Sequence, residues 1–81
     1  MPDTRVFDLI VEHTREVIPE LEGHRFAPSD SLRDLGANSI DRAEIIVMTL
    51  ESLSMSIPLV ELADAKNVGE LADLIHDKSA V

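Results

Sequence analysis

The chain has 81 residues, no cysteine, and 16 Asp and Glu against 7 Lys and Arg, for a formal net charge of -9. A chain of that length supports one small core and no deep, enclosed catalytic pocket, and the absence of cysteine excludes disulfides, thiolate zinc sites and a cysteine nucleophile. The negative field repels nucleic acid and anionic membrane surfaces and suits proteins that carry a basic patch.

Phe7, Ile10, Val11, Val17 and Ile18 fall close to one helical face, with Val6 and Leu9 at its margins. This predicts a first helix over about 4–18, capped by Asp3 or Thr4 and ended by Pro19. Periodicity then lapses from Pro19 to Asn38 through Gly23, Pro28 and Gly36. A structureless loop that long is unusual in a compact domain, so Leu21, Phe26, Leu32 and Leu35 are expected to pin it to the core, with Ser31–Leu35 as one capped turn.

A second helix is predicted over about 39–53, with Ile46, Leu50 and Leu53 as its inward stripe. Ile40, Glu44, Val47, Met48 and Glu51 lie roughly opposite and alternate apolar with acidic character. Small bundles often leave aliphatics wet, but a docking face with an apolar centre, for a basic partner, accounts better for this pattern. Ser54 to Pro58 closes the helix, and about 59–65 holds a short third one. Asn67 then caps a last helix over about 68–78, with Glu70 placed to bond back and Val68, Leu71, Ala72 and Ile75 as its stripe. Strand-like alternation is nowhere sustained, so the expectation is one all-α domain over 1–81, with three main helices and a short one. No apolar run approaches a membrane span, and Met1-Pro2-Asp3-Thr4 lacks the basic and apolar regions of a signal peptide, which points to the cytoplasm.

Ser39 stands at the start of the second helix, with Asn38 as the cap. Its hydroxyl would face unpaired N–H groups and the positive end of the helix dipole, a setting that favours an attached anion. The chemistry indicated is attachment, because a serine needs a neighbouring base to act as a nucleophile and no histidine or lysine lies near it in sequence. By itself a serine at a helix start is more often only a cap. An EF-hand register from Asp30 puts Leu32 at the third ligand position and Leu35 where glycine must turn the loop, so no calcium site is expected. His13, His24 and His76 have no metal-ligand spacing, and no metal is expected elsewhere.

The stretch Asp30-Ser31-Leu32-Arg33-Asp34-Leu35-Gly36-Ala37-Asn38-Ser39-Ile40-Asp41-Arg42-Ala43-Glu44-Ile45 closely resembles the signature of acyl carrier proteins. In that family a Leu-Gly turn, an acidic residue, a serine and an aliphatic residue open the second helix. The likeness continues at Ile57-Pro58 and at Asn67-Val68-Gly69-Glu70-Leu71, and so covers essentially the whole chain. It implies a four-helix bundle with a long first loop. It also implies that a phosphopantetheinyl transferase loads Ser39 with 4'-phosphopantetheine from coenzyme A, with Gly36, Asn38 and Ile40 as the turn and motif residues. The thiol end of the arm would carry an acyl group as a thioester. The chain departs from the family at Asn38, where aspartate is usual; the cap is kept and a local negative charge is lost. Ser31 matches the literal Asp-Ser-Leu string better, but it precedes the Leu-Gly turn and is read as a local cap.

The second helix has fewer acids than those of fatty-acid-synthesis carriers and adds Arg42. It looks more like the discrete carriers of polyketide assembly lines, including those that supply an acetyl donor to β-branching cassettes. Carriers that accept β-branching resemble one another in a tryptophan in this helix, and its absence here favours a donor. The partners implied are the transferase and acyltransferase, ketosynthase or HMG-synthase-like enzymes, met by a monomer through weak, salt-sensitive contacts. Ile40, Ala43, Val47 and Met48 would form the apolar centre of docking, with Asp41, Arg42, Glu44 and Glu51 as its charges. A fatty-acid-synthesis or peptidyl carrier is the nearer alternative, and an unmodified acidic adaptor is the alternative from another class. An enzyme is not expected, because no base, metal set or phosphate-cradling loop accompanies the serine.

Overall fold

The computed structural model of the protein describes residues 5–62 and 64–79. Three α-helices, α1 (Arg5–Val17), α2 (Ser39–Ser52) and α3 (Val68–Ser79), alternate with two 3-10 turns, Pro19–Leu21 and Leu59–Glu61. The expected caps Asp3 and Thr4 lie outside the described residues. Helix α1 packs against both α2 and α3. Ile10, Ile45, Leu62, Val68 and Ile75 form the driest part of the core, each no more than 1% exposed.

Of the expected all-α fold the three main helices are present among the described residues, and the short fourth is not seen there as an α-helix. At the expected short helix over 59–65 there is one 3-10 turn, in which the amides of Glu61 and Leu62 donate to the carbonyls of Pro58 and Leu59. The physical reason is length: an isolated turn does not repay helix nucleation, and tighter i to i+3 bonds let Leu62 drop into the core at once.

The inward faces also differ in detail. Val6, expected at the margin of α1, is buried, whereas Phe7 is only partly covered. Ile45, not Ile46, is the central contact of α2; Ile46 and Leu53 pack at the edge of the core. Two buried threonines complete the helix contacts without an orphaned hydroxyl. Thr14 Oγ1 donates to the Ile10 carbonyl at 2.6 Å and Thr49 Oγ1 to the Ile45 carbonyl at 2.8 Å. Beside them His13 reaches across from α1, with Nε2 2.9 Å from Ser52 Oγ and Nδ1 3.3 Å from Glu16.

Of the four loop residues expected in the core, only Leu32 is buried; Leu21, Phe26 and Leu35 are half-buried and lie outside the core cluster. The loop is held instead by polar and ring contacts. Arg15 Nη2 donates to the His24 carbonyl at 2.9 Å while its guanidinium carbon sits 5.3 Å from the Phe26 ring centre, and His24 meets Asp30 at 3.0 Å. The loop then closes on α3, because the amides of Val68 and Gly69 donate to the carbonyls of Asp30 and Pro28, both at 2.8 Å. Those amides belong to the first turn of α3, which has no intrahelical acceptors, so the loop satisfies them. Asn67 Oδ1 accepts from Glu70 N at 2.7 Å as expected, but the Glu70 carboxylate accepts from Lys66 N, one residue earlier than a capping box requires, and from the Asn67 side-chain Nδ2.

Helix α2 is bracketed by the same turn geometry twice. Before it, Ala37 N donates to the Leu32 carbonyl and Gly36 N to the Arg33 carbonyl, with Gly36 at φ +106°. After it, Met55 N donates to the Leu50 carbonyl and Ser54 N to the Glu51 carbonyl, with Ser54 at φ +55°. Both are Schellman motifs, in which a left-handed residue lets the last carbonyls of a turn find donors.

Candidate attachment site

The Leu32–Ala37 turn decides where Ser39 stands. Leu32 and Ala37, the two ends of the motif, are both buried, so the turn is anchored on the core and Gly36 swings the chain outward. Asn38 follows in extended conformation, φ -77 and ψ -179, and caps α2. Its Oδ1 accepts from Asp41 N at 2.7 Å, and the Asp41 carboxylate accepts from Asn38 N at 3.4 Å, a reciprocal capping box. Asn38 therefore performs the capping, which leaves Ser39 as the first helical residue with an exposed side chain free of that duty.

The amides of Ser39 and Ile40 belong to the first turn and have no intrahelical acceptor, so this end of α2 is electropositive. No hydrogen bond joins Ser39 to a base among the described residues; His24 is engaged with Asp30 and Phe26, and His13 with Ser52 and Glu16. An exposed primary alcohol, two open amides and no activating base suit a hydroxyl that receives a group from another enzyme. Ser31, by contrast, is half-buried, and its Oγ accepts from Asp34 N at 3.3 Å, the local cap expected of it.

The residues expected to dock partners separate into two sets. Ile40 is 75% exposed and Val47 42%, and Glu44 and Glu51 are exposed with them; Ala43 and Met48 are half-buried along the same helix. Asp41 and Arg42 have structural duties first. Asp41 closes the capping box, and Arg42 folds back so that Nη1 donates to the Ala37 carbonyl at 2.9 Å. Arg42 also borders a half-open cleft of about 460 Å3 between the 31–34 turn, α2 and the start of α3. The sequence reading missed Leu59 and Val60, 40% and 77% exposed on the second 3-10 turn. A signal for them was present in Pro58-Leu59-Val60-Glu61-Leu62: a single turn can turn only one of these aliphatics inward, and Leu62 is the one that goes in.

Away from the serine, Asp30 organises the base of the loop. The Ala27 N–H and then the His24 ring hold its carboxyl below the ordinary value of 3.8. The backbone carbonyl of Asp30 accepts from Val68 N, which ties the loop, and hence the turn before Ser39, to α3.

Comparison with known proteins identifies the family and the fold. The phosphopantetheine attachment site family matches residues 8–75. The polyketide biosynthesis acyl-carrier-protein AcpK of Bacillus subtilis (strain 168) is 54% identical over 78 residues, covering 96% of this chain and 95% of that protein. Among solved structures, the fold matches a chain in the crystal structure of the curacin biosynthetic pathway HMG synthase in complex with acetyl donor-ACP. That match has a TM-score of 0.86 and 53% identity, over 93% of this chain and 96% of the other.

Proposed function

This chain belongs to the phosphopantetheine attachment site family of carrier proteins, and on that premise we propose that it carries acyl groups for polyketide biosynthesis on an arm joined to Ser39. Within that pathway its role is to donate an acyl group to an HMG-synthase-type enzyme during β-branching. Support for the donor role comes from likeness to a chain in the HMG synthase complex. A chain that an 81-residue protein covers to 96% is of carrier size, so the likeness is to the acetyl donor, not to the synthase. The unmodified adaptor reading is set aside by membership of a family defined by its attachment site.

The residues present fit the group. The Ser39 hydroxyl is open to a transferase, the adjacent amides and Arg42 offset the charge of a phosphodiester, and the capping box keeps Asn38 from competing for the serine. When bound, 4'-phosphopantetheine supplies the thiol on which acyl groups are held as thioesters. The protein's part is to orient the attachment point and to present the α2 face, with Ile40 and Val47 at its centre and Glu44 and Glu51 around them, to successive enzymes. In this reading the chain is the substrate of its partner enzymes, as is general for the carrier family.

The observation that carries this reading is the exposed Ser39 hydroxyl at the first position of α2, relieved of capping by Asn38. The test is incubation with coenzyme A and a broad-specificity phosphopantetheinyl transferase, followed by intact mass. Wild type and Ser31→Ala gain one phosphopantetheine and Ser39→Ala gains none; an adduct on Ser39→Ala would move the site elsewhere.

A further inference from the structure

The two edges of α2 differ in charge. Its outer face is apolar and acidic, whereas the opposite edge borders the cleft, whose floor includes Leu32 and Leu62 and whose rim carries Arg33, Arg42 and Lys66 together with Asp34. These are three of the 7 cations in a chain with 16 acids. Among the described residues none of the three forms an ion pair, although Lys78 pairs with Glu61 and acids outnumber bases in the chain as a whole. Cations left together in so acidic a protein mark a place where an anion is expected.

Arg42 is the member nearest the attachment point in sequence. It lies three residues after Ser39 on nearly the same helical face, and its bond to the Ala37 carbonyl draws the guanidinium back past the first turn of α2. That bond uses one of five N–H donors, so a fork remains for oxygen acceptors. Asn38 is neutral, and the Asp41 carboxylate is turned to the Asn38 amide, so neither supplies a competing ion pair. The electropositive end of α2 and a guanidinium tethered to the Ala37 carbonyl, two residues before the serine, therefore lie on the same short stretch of chain.

We propose that Arg42 anchors the phosphodiester root of the arm, binding its non-bridging oxygens while held on Ala37, and so starts the arm along the cationic cleft instead of across the acidic docking face. This inference rests on Ser39 as the attachment site. Arg42 is a positioning residue: it sets where the arm leaves the protein. The preference for the cleft amounts to about threefold in occupancy, the scale of one half-exposed ion pair.

The test compares wild type, Arg42→Lys and Arg42→Gln after loading from coenzyme A, with loading verified by intact mass and folding by thermal melting. In wild type the Arg42 Nε–Hε resonance shifts on loading. The 31P resonance of the phosphodiester differs between wild type and Arg42→Gln, with Arg42→Lys between them. Raising salt from about 0.05 to about 0.5 M moves wild type towards Arg42→Gln, because a half-exposed pair is screened. Loading also perturbs the amides of Leu32 and Leu62 in wild type and less so in Arg42→Gln. An identical 31P resonance in all three proteins, with no change at the Arg42 side chain on loading, would overturn the anchor while leaving the carrier reading intact. Failure of wild type to gain the adduct would overturn both.

Discussion

The paired Schellman turns around α2 predict opposite effects for reciprocal substitutions. Ser54 holds φ +55°, a left-handed conformation that costs a non-glycine residue about 1 kcal/mol. Ser54→Gly removes that cost and returns about 0.5 kcal/mol through the freer unfolded chain, for a net gain of about 0.5 kcal/mol. Gly36 holds φ +106°, beyond the ordinary left-handed well, and an added Cβ would meet nothing within 4 Å. Gly36→Ala therefore pays in backbone strain alone, about 2 kcal/mol less about 0.5 kcal/mol of unfolded-state gain, for a net loss of about 1.5 kcal/mol. The sites lie about 20 Å apart along α2, so the double variant should show the sum, a loss of about 1 kcal/mol. Urea denaturation reads these as midpoint shifts at constant slope, and melting as a rise of about 2–4 °C for Ser54→Gly and a fall of about 6–12 °C for Gly36→Ala. A Gly36→Ala protein as stable as wild type, or a Ser54→Gly protein less stable, would refute the assignment of these turns. Loading at Ser39 should be unchanged in Ser54→Gly, which alters only the far end of the helix.

Other expected outcomes follow from the loop and the docking face. A Cβ on Gly69 would lie 2.9 Å from Pro28 Cβ and 3.0 Å from the Pro28 carbonyl oxygen, so Gly69→Ala should pry the loop from α3 and cost about 1–3 kcal/mol by thermal melting. Asp30 has its carboxyl held below 3.8 by Ala27 N–H and His24, so its contribution is complete above that value and is lost as pH falls through the lower folded-state value. Denaturation midpoints measured below pH 3.8 should thus fall more steeply for wild type than for Asp30→Asn; parallel curves would remove Asp30 from the account. Glu44→Lys and Glu51→Lys should slow acyl transfer to an HMG-synthase-type enzyme at low salt and change stability by no more than about 0.5 kcal/mol. Equal transfer rates at low salt would exclude a charge-steered α2 face.

Features set by local chemistry were legible in the sequence. Asn38 and Asn67 begin α2 and α3 because a short polar side chain can take the N–H three residues on, and Gly36 turns the chain because little else tolerates its φ. Features set by competition between elements were not. The 100° stripe of α2 passes between Ile45 and Ile46, and only the packing of α1 selects Ile45. Apolar periodicity carries no signal that Thr14, Thr49 and His13 are buried, because each is accommodated by a partner across or within the helices. The loop was expected to be pinned by four aliphatic or aromatic residues, yet Arg15, His24 and Asp30 do most of that through contacts distant in sequence. At the site itself the serine and its cap were readable, whereas Arg42, expected to face partners, was not: a bond from residue 42 back to the carbonyl of residue 37 has no signature in periodicity.

Attachment at Ser39 is the claim on which the functional account depends, and the sequence offers a clean way to locate the group. Tryptic cleavage after Arg33 and Arg42 isolates residues 34–42, in which Ser39 is the one serine, whereas Ser31 falls in the preceding fragment, 26–33. Fragment masses of the loaded protein should place one phosphopantetheine on 34–42 and none on 26–33. The added mass on 26–33, or on any fragment lacking Ser39, would contradict the account.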